Sequence, residues 1–384
     1  DTLSYHTLQE SVDRVASGLR ALGVQRDERI GVYLPKQFET VTTMFGSMAA
    51  GGVFVPINPI LKPEQVGHIL RDCATKILVT SPDRARLLSD TLAECPDLTQ
   101  VVVTGKDEPD RAQEHQVPVC NWDQMLDQAQ TRQPELRRID SDMAAILYTS
   151  GSTGRPKGVV LSHRNMLAGA ESVASYLHNR ADDRLLAVLP FSFDYGLSQL
   201  TTAFLHGASV VLMDYLLPRD VIRAVARYRV TGLAAVPPLW NQLADLAWPD
   251  EAVDCLRYIT NSGGAMAVTT TEQLQAALPN TDIFLMYGLT EAFRSTYLAP
   301  DLVVSRPESM GKAIPNADIM VVRPDGSECA ADEPGELVHR GALVALGYWG
   351  DREKTDIRFK PAPGLPEGLP NPEIAVWSGD QVRR

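Results

Sequence analysis

The sequence predicts an α/β fold of mostly parallel sheets with helices packed on their faces, followed by a smaller β-rich, barrel-like unit. Three observations carry this. Through the first three quarters of the chain, short apolar runs alternate with amphipathic segments, the order expected when parallel strands are linked by helices. The amphipathic segments repeat at helical steps; Leu8, Val12, Val15, Leu19 and Leu22 recur every three or four residues. After about Asp301 the texture changes to short strands separated by turn signals, including Pro324-Asp325-Gly326 and Glu333-Pro334-Gly335.

In chain order, Arg29 to Leu34, Val53 to Asn58, Lys76 to Thr80 and Gln100 to Thr104 read as strands, being short apolar runs bounded by turn residues. Met143 to Thr149, Arg184 to Leu189, Ser209 to Met213, Tyr258 to Asn261 and Asp282 to Tyr287 follow the same pattern. Leu8 to Leu22, Phe38 to Ala50, Lys62 to Asp72, Arg164 to Leu177 and Thr269 to Leu278 read as helices. Beyond Asp301, Ile319 to Arg323 and Glu336 to Arg340 read as strands, and the Pro- and Gly-rich stretch from Lys360 to Pro372 as a loop.

At roughly 150 residues per domain, 384 residues allow two or three domains or one large α/β domain. A 44% hydrophobic and 22% charged composition excludes disordered, collagenous and disulfide-scaffold proteins. No apolar stretch approaches a membrane span. Lys plus Arg total 36 against 48 Asp plus Glu, a formal charge of −12, and without a long basic run no nucleic-acid partner is expected. Five scattered cysteines, none in a CxxC pair, suit reduced thiols and a cytoplasmic location.

The most informative stretch is Tyr148-Thr149-Ser150-Gly151-Ser152-Thr153-Gly154-Arg155-Pro156-Lys157-Gly158, which follows the apolar run Ala144 to Leu147. Glycines let backbone approach a ligand closely. Hydroxyls and N–H groups can then wrap phosphate oxygens, with Lys157 supplying charge. The spacing is not that of a Walker A loop. A generic Ser/Gly turn would be a flexible surface loop.

A second candidate follows the strand Asp282 to Met286: Tyr287-Gly288-Leu289-Thr290-Glu291. A ring, a hydroxyl and a carboxylate beyond a strand's C-terminal end could stack a base, bind phosphate and hold a metal. One carboxylate plus substrate phosphates suits Mg²⁺. Taken alone, Thr290 and Glu291 would equally well cap a helix. Ser262-Gly263-Gly264-Ala265 also follows a strand, and Trp377-Ser378-Gly379-Asp380 ends in a Gly-Asp turn, a common feature when taken alone.

Taken together, these strings resemble the adenylate-forming superfamily of acyl-CoA synthetases, luciferases and nonribosomal-peptide adenylation domains, and look closest to AMP-forming acyl-CoA ligases. Leu3-Ser4-Tyr5-His6-Thr7-Leu8 and Met48 to Pro59 resemble two further family elements, both of which serve the core. The resemblance implies two mostly parallel sheets plus a small β-barrel-like subdomain. It implies one large N-terminal domain over 1–384, with α/β subdomains over about 1–300 and a β-rich one over about 301–384. It also implies a preceding segment, and a C-terminal lid carrying a lysine that no residue here matches; without that lid the chain is expected to bind substrates but adenylate poorly.

The same resemblance implies ATP, Mg²⁺ and coenzyme A, or a phosphopantetheinyl carrier protein, as cofactors and partners. Thr149, Ser150, Gly151, Ser152, Thr153, Gly154 and Lys157 would hold the β- and γ-phosphates. Thr290 would orient the α-phosphate, Glu291 and Thr149 would serve Mg²⁺, and Thr290, Glu291 and Lys157 would be the catalytic set. Tyr287, Gly288 and the loop Gly263, Gly264 and Ala265 would bind the adenine side, and Asp380 the ribose hydroxyls. The implied reaction is activation of a small carboxylic acid to an acyl-adenylate with release of pyrophosphate, then transfer to a thiol.

The acid pocket is the ambiguous part. Pro190 to Gly196 carries Phe193 where many acyl-CoA synthetases have a histidine. Phe193-Asp194 resembles the "FDxS" element of amino-acid-activating domains, whose Asp holds an ammonium, but Tyr195-Gly196 follow instead of the Ser. Asp194 could also be a solvated or helix-capping carboxylate, and Tyr195 a pocket wall or plain core. Three readings therefore stand: an acyl-CoA ligase, an acid- or amino-acid-activating enzyme that loads a carrier protein, and a non-catalytic nucleotide-binding relative. His178 and Asp183 share an H-x4-D spacing that reads as chance.

Overall fold

The computed structural model describes residues 1–105, 117–129, 138–149, 156–366 and 368–384. The chain divides into two compact units: Asp1–His163 with Tyr348–Gly350, and Arg164–Gly347 with Asp351–Arg384. No helix among the described residues is long and apolar enough to cross a membrane.

In the first unit, the strands Lys157–Ser162, Met143–Thr149, Val53–Pro56, Arg29–Tyr33, Thr75–Thr80, Gln100–Val103 and Val119–Asn121 lie side by side in that order. Neighbours run parallel except for the hairpin of Met143–Thr149 with Lys157–Ser162. Val53, Val55, Leu78, Val101 and Ile146 are shielded from water in one core with Ile69 and Leu70 of the helix Pro63–Asp72. Each such side chain contributes about 1.5–3 kcal/mol by leaving water. The helix Tyr5–Ala21 starts where Ser4 Oγ accepts the Thr7 N–H at 3.2 Å, a normal N-cap. It packs against Phe38–Ala49, which lies on Arg29–Tyr33 and Val53–Pro56. Late in the chain Tyr348–Gly350 rejoins this unit, where the Trp349 N–H donates to the Gly158 carbonyl at 2.7 Å.

The second unit holds a sheet in the order Lys312–Ala313, Thr296–Leu298, Asp282–Tyr287, Tyr258–Asn261, Gly232–Ala235, Arg184–Ala187, Ser209–Leu212. The five strands from Asp282–Tyr287 onward are parallel, and the two at the other edge antiparallel. Gly232–Ala235 is a central strand that local pattern does not announce, because Gly-Leu-Ala-Ala has no β-branched residue. Tertiary packing secures it. Trp240, fully buried, donates its indole N–H between the Ala235 and Thr260 carbonyls at 3.0 and 3.1 Å.

The same unit carries a four-stranded antiparallel sheet in the order Ala317–Val322, Pro334–Gly341, Ile374–Arg383, Phe359–Pro361. Met320, Val322, Val338 and Ala375 form its small core. The stretch from Lys360 to Pro372, expected as loop, begins inside the strand Phe359–Pro361, because Ile374–Arg383 offers it a pairing edge. The expected architecture, mostly parallel sheets with helices and a small antiparallel sheet, is the one observed.

Candidate functional site

Parallel strands align their C-terminal ends, and ligands in such sheets bind there. Tyr258–Asn261 and Asp282–Tyr287 run side by side, with Asn261 opposite Leu285, so Tyr287 projects two residues beyond the end of its neighbour. The turns that follow them, Gly263–Ala265 and Gly288, wall a cavity of about 870 Å³, closed on other sides by Pro307–Met310 and Asp380. Gly263 takes φ +77°, a left-handed conformation suited to glycine. A Cβ on Gly288 would stand 2.9 Å from Arg294 Cα, so the turn closes only with glycine there.

Asp380 reaches this cavity through a bulge. Glu336 pairs with Gln381 and Val338 with Trp377, so the intervening Ser378-Gly379-Asp380 is extruded from the ladder. The Gly379 N–H is held by Glu336 Oε1 at 2.9 Å and the Asp380 N–H by Ser378 Oγ at 3.1 Å. The extruded carboxylate accepts a hydrogen bond from the Tyr287 hydroxyl. Burial first, and the Asp380 carboxylate second, push the Tyr287 phenol above its ordinary pKa, so it stays protonated as a donor.

Deeper in the unit, Thr290 and Glu291 begin a single 3-10 turn, Thr290–Ala292, and both are buried. The Glu291 carbonyl accepts the Ala345 N–H at 2.9 Å. Thr290 Oγ1 donates to Asp194 Oδ1 at 3.0 Å. Asp194 opens the helix Asp194–His206, where a carboxylate suits the positive end. It is not solvated, being only 3% exposed. Burial pushes its carboxyl above the usual carboxylate range, and Arg294 and the Thr290 hydroxyl offset that only in part. The neighbouring rings differ in use. Phe193 is half-buried with its Cζ 3.4 Å from where a Gly263 Cβ would be, beside the cavity wall. Tyr195 is core, 1% exposed, with its hydroxyl 2.5 Å from Thr260 Oγ1.

Arg294 is the residue that sequence reasoning missed. It is 2% exposed, with Nη1 2.5 Å from Ser262 Oγ and its guanidinium over the Tyr195 ring, 4.6 Å from the centroid. A charged residue between the apolar pairs Ala292-Phe293 and Tyr297-Leu298 was the available signal. Glu308 and Met310 of the cavity wall carried no signal at all.

In the first unit, Thr149 and Lys157 face each other across the hairpin, as a register pair. The Ser150, Gly151, Ser152, Thr153 and Gly154 between them lie outside the described residues. Lys157 Nζ sits over the Tyr348 ring, 5.2 Å from its centroid. At the hairpin's base the Tyr148 hydroxyl donates to Asp72 Oδ2 at 2.5 Å.

Among the described residues, no three His, Cys, Asp or Glu side chains gather into a cluster able to cage a metal. A single carboxylate such as Glu291 fits Mg²⁺ of the kind held mainly by substrate phosphates and water.

The chain is similar to several known proteins. Gramicidin S synthase 2 of Aneurinibacillus migulanus is 28% identical over 370 residues, 95% of this chain and 8% of that protein. 4-Coumarate–CoA ligase 2 of Oryza sativa subsp. japonica is 30% identical over 360 residues, 89% of this chain and 63% of that one. The chain thus spans a small part of the synthetase and under two thirds of the ligase. Among solved structures, VinN in complex with L-aspartate matches with a TM-score of 0.80 and 26% identity, covering 99% of this chain and 88% of that one. The family model for AMP-binding enzymes matches residues 1–349, and with that match over most of its length the chain belongs to the AMP-binding enzyme family.

Proposed function

We propose that this protein activates a carboxylic acid with MgATP, forming an acyl-adenylate and pyrophosphate, and passes the acyl group to a thiol, with coenzyme A as acceptor. In this reading residues 1–384 are the large nucleotide- and acid-binding domain. The observation that carries it is the meeting of Tyr287 and Asp380 at the cavity between the strand ends. A ring suited to a base stands there beside a carboxylate able to accept from two ribose hydroxyls.

In the chemical step a substrate carboxylate oxygen attacks the α-phosphorus, the bond to the bridging oxygen breaks, and that oxygen leaves with pyrophosphate. No protein nucleophile is required. Lys157 and the hydroxyls of its loop bind the β- and γ-phosphates, and Glu291, with Thr149, takes the metal. When bound, Mg²⁺ supplies charge neutralisation to the phosphates. Thr290 orients the α-phosphate. Its hydroxyl has one proton, which in the structure points at Asp194. Thr290 therefore donates to a phosphate by rotating, or when Asp194 is itself protonated, a form its raised pKa favours. Positioning and charge complementarity carry the rate.

A second reading has a specific support. Asp194 is a buried carboxylate next to Phe193, suited to an ammonium group, and gramicidin S synthase 2 is among the relatives. That favours an amino-acid-activating enzyme that loads a carrier protein.

Pyrophosphate exchange with the full-length protein, across fatty, aromatic, dicarboxylic and amino acids, tests both. Exchange with amino acids alone removes the coenzyme A ligase reading. ATP binding without exchange for any acid removes adenylation and leaves a nucleotide-binding relative. Asp380→Ala is expected to weaken ATP binding at least tenfold, about 1.4 kcal/mol, and to leave pyrophosphate binding unchanged. Equal weakening of both would remove Asp380 from the ribose role.

A further inference from the structure

We infer that Arg294 recognises a carboxylate in the acid pocket, and that the acid taken by this protein carries a second carboxylate, one that is not adenylated. The inference rests on the acid-activating function proposed above and names its substrate class.

The argument begins with unpaired donors. Arg294 Nη1 is engaged by Ser262 Oγ, whereas Nε and Nη2 are buried and have no hydrogen-bond partner among the described residues. Those two nitrogens form one edge of the guanidinium, the edge whose parallel N–H groups fork the two oxygens of a carboxylate. A buried charge normally has its hydrogen bonds filled, and a fork of this kind left unmet is strongly disfavoured. Arg257 in the same unit shows the ordinary outcome, with Nε, Nη1 and Nη2 all donating to oxygens.

The fork is also held in place. Phe293, the residue before it, has φ 58° and ψ −61°, an outlying conformation for an aromatic residue that persists only when packing enforces it. The enforcement is visible: Phe293 is fully buried, and its ring fills the space a Gly169 Cβ would need, with Cδ1 2.5 Å from that position. Stacking on Tyr195 sets the plane of the guanidinium.

The position adjoins the residues expected to wall the acid pocket, since the guanidinium lies over Tyr195. Ser262 lies between Asn261 and Gly263, both on the cavity wall, and Nη1 stands 3.3 Å from where a Gly288 Cβ would be. Asp194 shares the charge environment of Arg294, yet its side chain is bonded to Thr290 and leaves the fork to another anion. A carboxylate clamped at both oxygens has its lone pairs tied up and is a poor nucleophile. The group that attacks phosphorus is therefore a different carboxylate of the same acid.

The test is calorimetric titration of the full-length protein with succinate and glutarate against butyrate and valerate, repeated on Arg294→Met. The wild type is expected to bind each dicarboxylate at least tenfold more tightly than the monocarboxylate of equal length, and Arg294→Met to lose that preference. Equal affinities in the wild type, or a preference that survives in Arg294→Met, overturns the inference. Should Arg294→Met not fold, the wild-type comparison decides alone. Pyrophosphate exchange on the same panel separates the two claims. Dicarboxylate binding without exchange sinks adenylation and keeps the carboxylate fork. Exchange supported equally by monocarboxylates sinks the fork and keeps adenylation.

Discussion

Two buried aspartates in the second unit stand in opposite circumstances. Asp183 has a fully buried side chain, and donors converge on it: Arg257 Nε and Nη2 at 3.1 and 2.7 Å, Thr231 Oγ1 at 2.8 Å, the Arg180 N–H at 2.8 Å and Asn179 Nδ2 at 3.4 Å. Burial alone would push this carboxyl up, but those bonds outweigh it and hold it below the usual range. Arg257 also donates to the Leu177 carbonyl, tying down the end of the helix His163–Leu177. Asp194, equally buried, receives Thr290 alone from another side chain among the described residues, and its carboxyl is pushed up. Its companion arginine is the one with an open edge. A closed polar network holds a fold together, while an incompletely satisfied one is a place prepared for a ligand.

The same substitution should therefore act differently at the two sites. Asp183→Asn leaves Arg257, itself partly exposed, without its counter-charge and should cost about 3 kcal/mol by urea unfolding, toward the lower end for a broken buried pair. A loss below about 1 kcal/mol would mean that the pair adds no more than an exposed one.

A third buried group lies between these extremes. His339 is fully buried, its Nδ1 2.9 Å from Ser295 Oγ and its Nε2 without a partner among the described residues. Burial pushes its pKa down to about 4, from the ordinary histidine value of about 6.5. The folded protein keeps it neutral while the unfolded chain protonates it. Stability is thus lost as pH falls below about 6.5, reaching about 2 kcal/mol by pH 5 and levelling off below about 4. The difference in unfolding free energy between wild type and His339→Gln should follow that curve; a pH-independent difference would place the folded-state pKa near the unfolded one.

Asp194→Asn should have the smallest effect on stability and the opposite sign. It removes a carboxyl whose ionised form burial disfavours, so stability at pH 7 should stay level or rise by up to about 1 kcal/mol. A loss as large as that of Asp183→Asn would erase the distinction between the two regions.

Much of the fold was legible in the chain. Strands such as Met143–Thr149 and Asp282–Tyr287 are continuous apolar runs, and the helix Tyr5–Ala21 has an apolar stripe and a serine cap. Less legible were Gly232–Ala235, whose residues have weak strand preference, and Thr296–Leu298 and Lys312–Ala313, which are only three and two residues long and form strands because neighbours offer pairing edges. Within the site, the glycines and hydroxyls of the turns after the strands could be picked out by composition. For Arg294 the one signal was its place between two apolar pairs, and that does not tell whether an arginine points into water or into a core.

Local pattern determined the alternation of elements, the turns and the residues able to meet phosphate, since each depends on neighbours within a few positions. Tertiary structure alone decided which charges are satisfied. Asp183 finds Arg257 across 74 positions, Asp194 finds Thr290 across 96, and Tyr287 finds Asp380 across 93. Whether a buried charge is paired depends on which distant segments fold against it, and local sequence carries no record of that meeting.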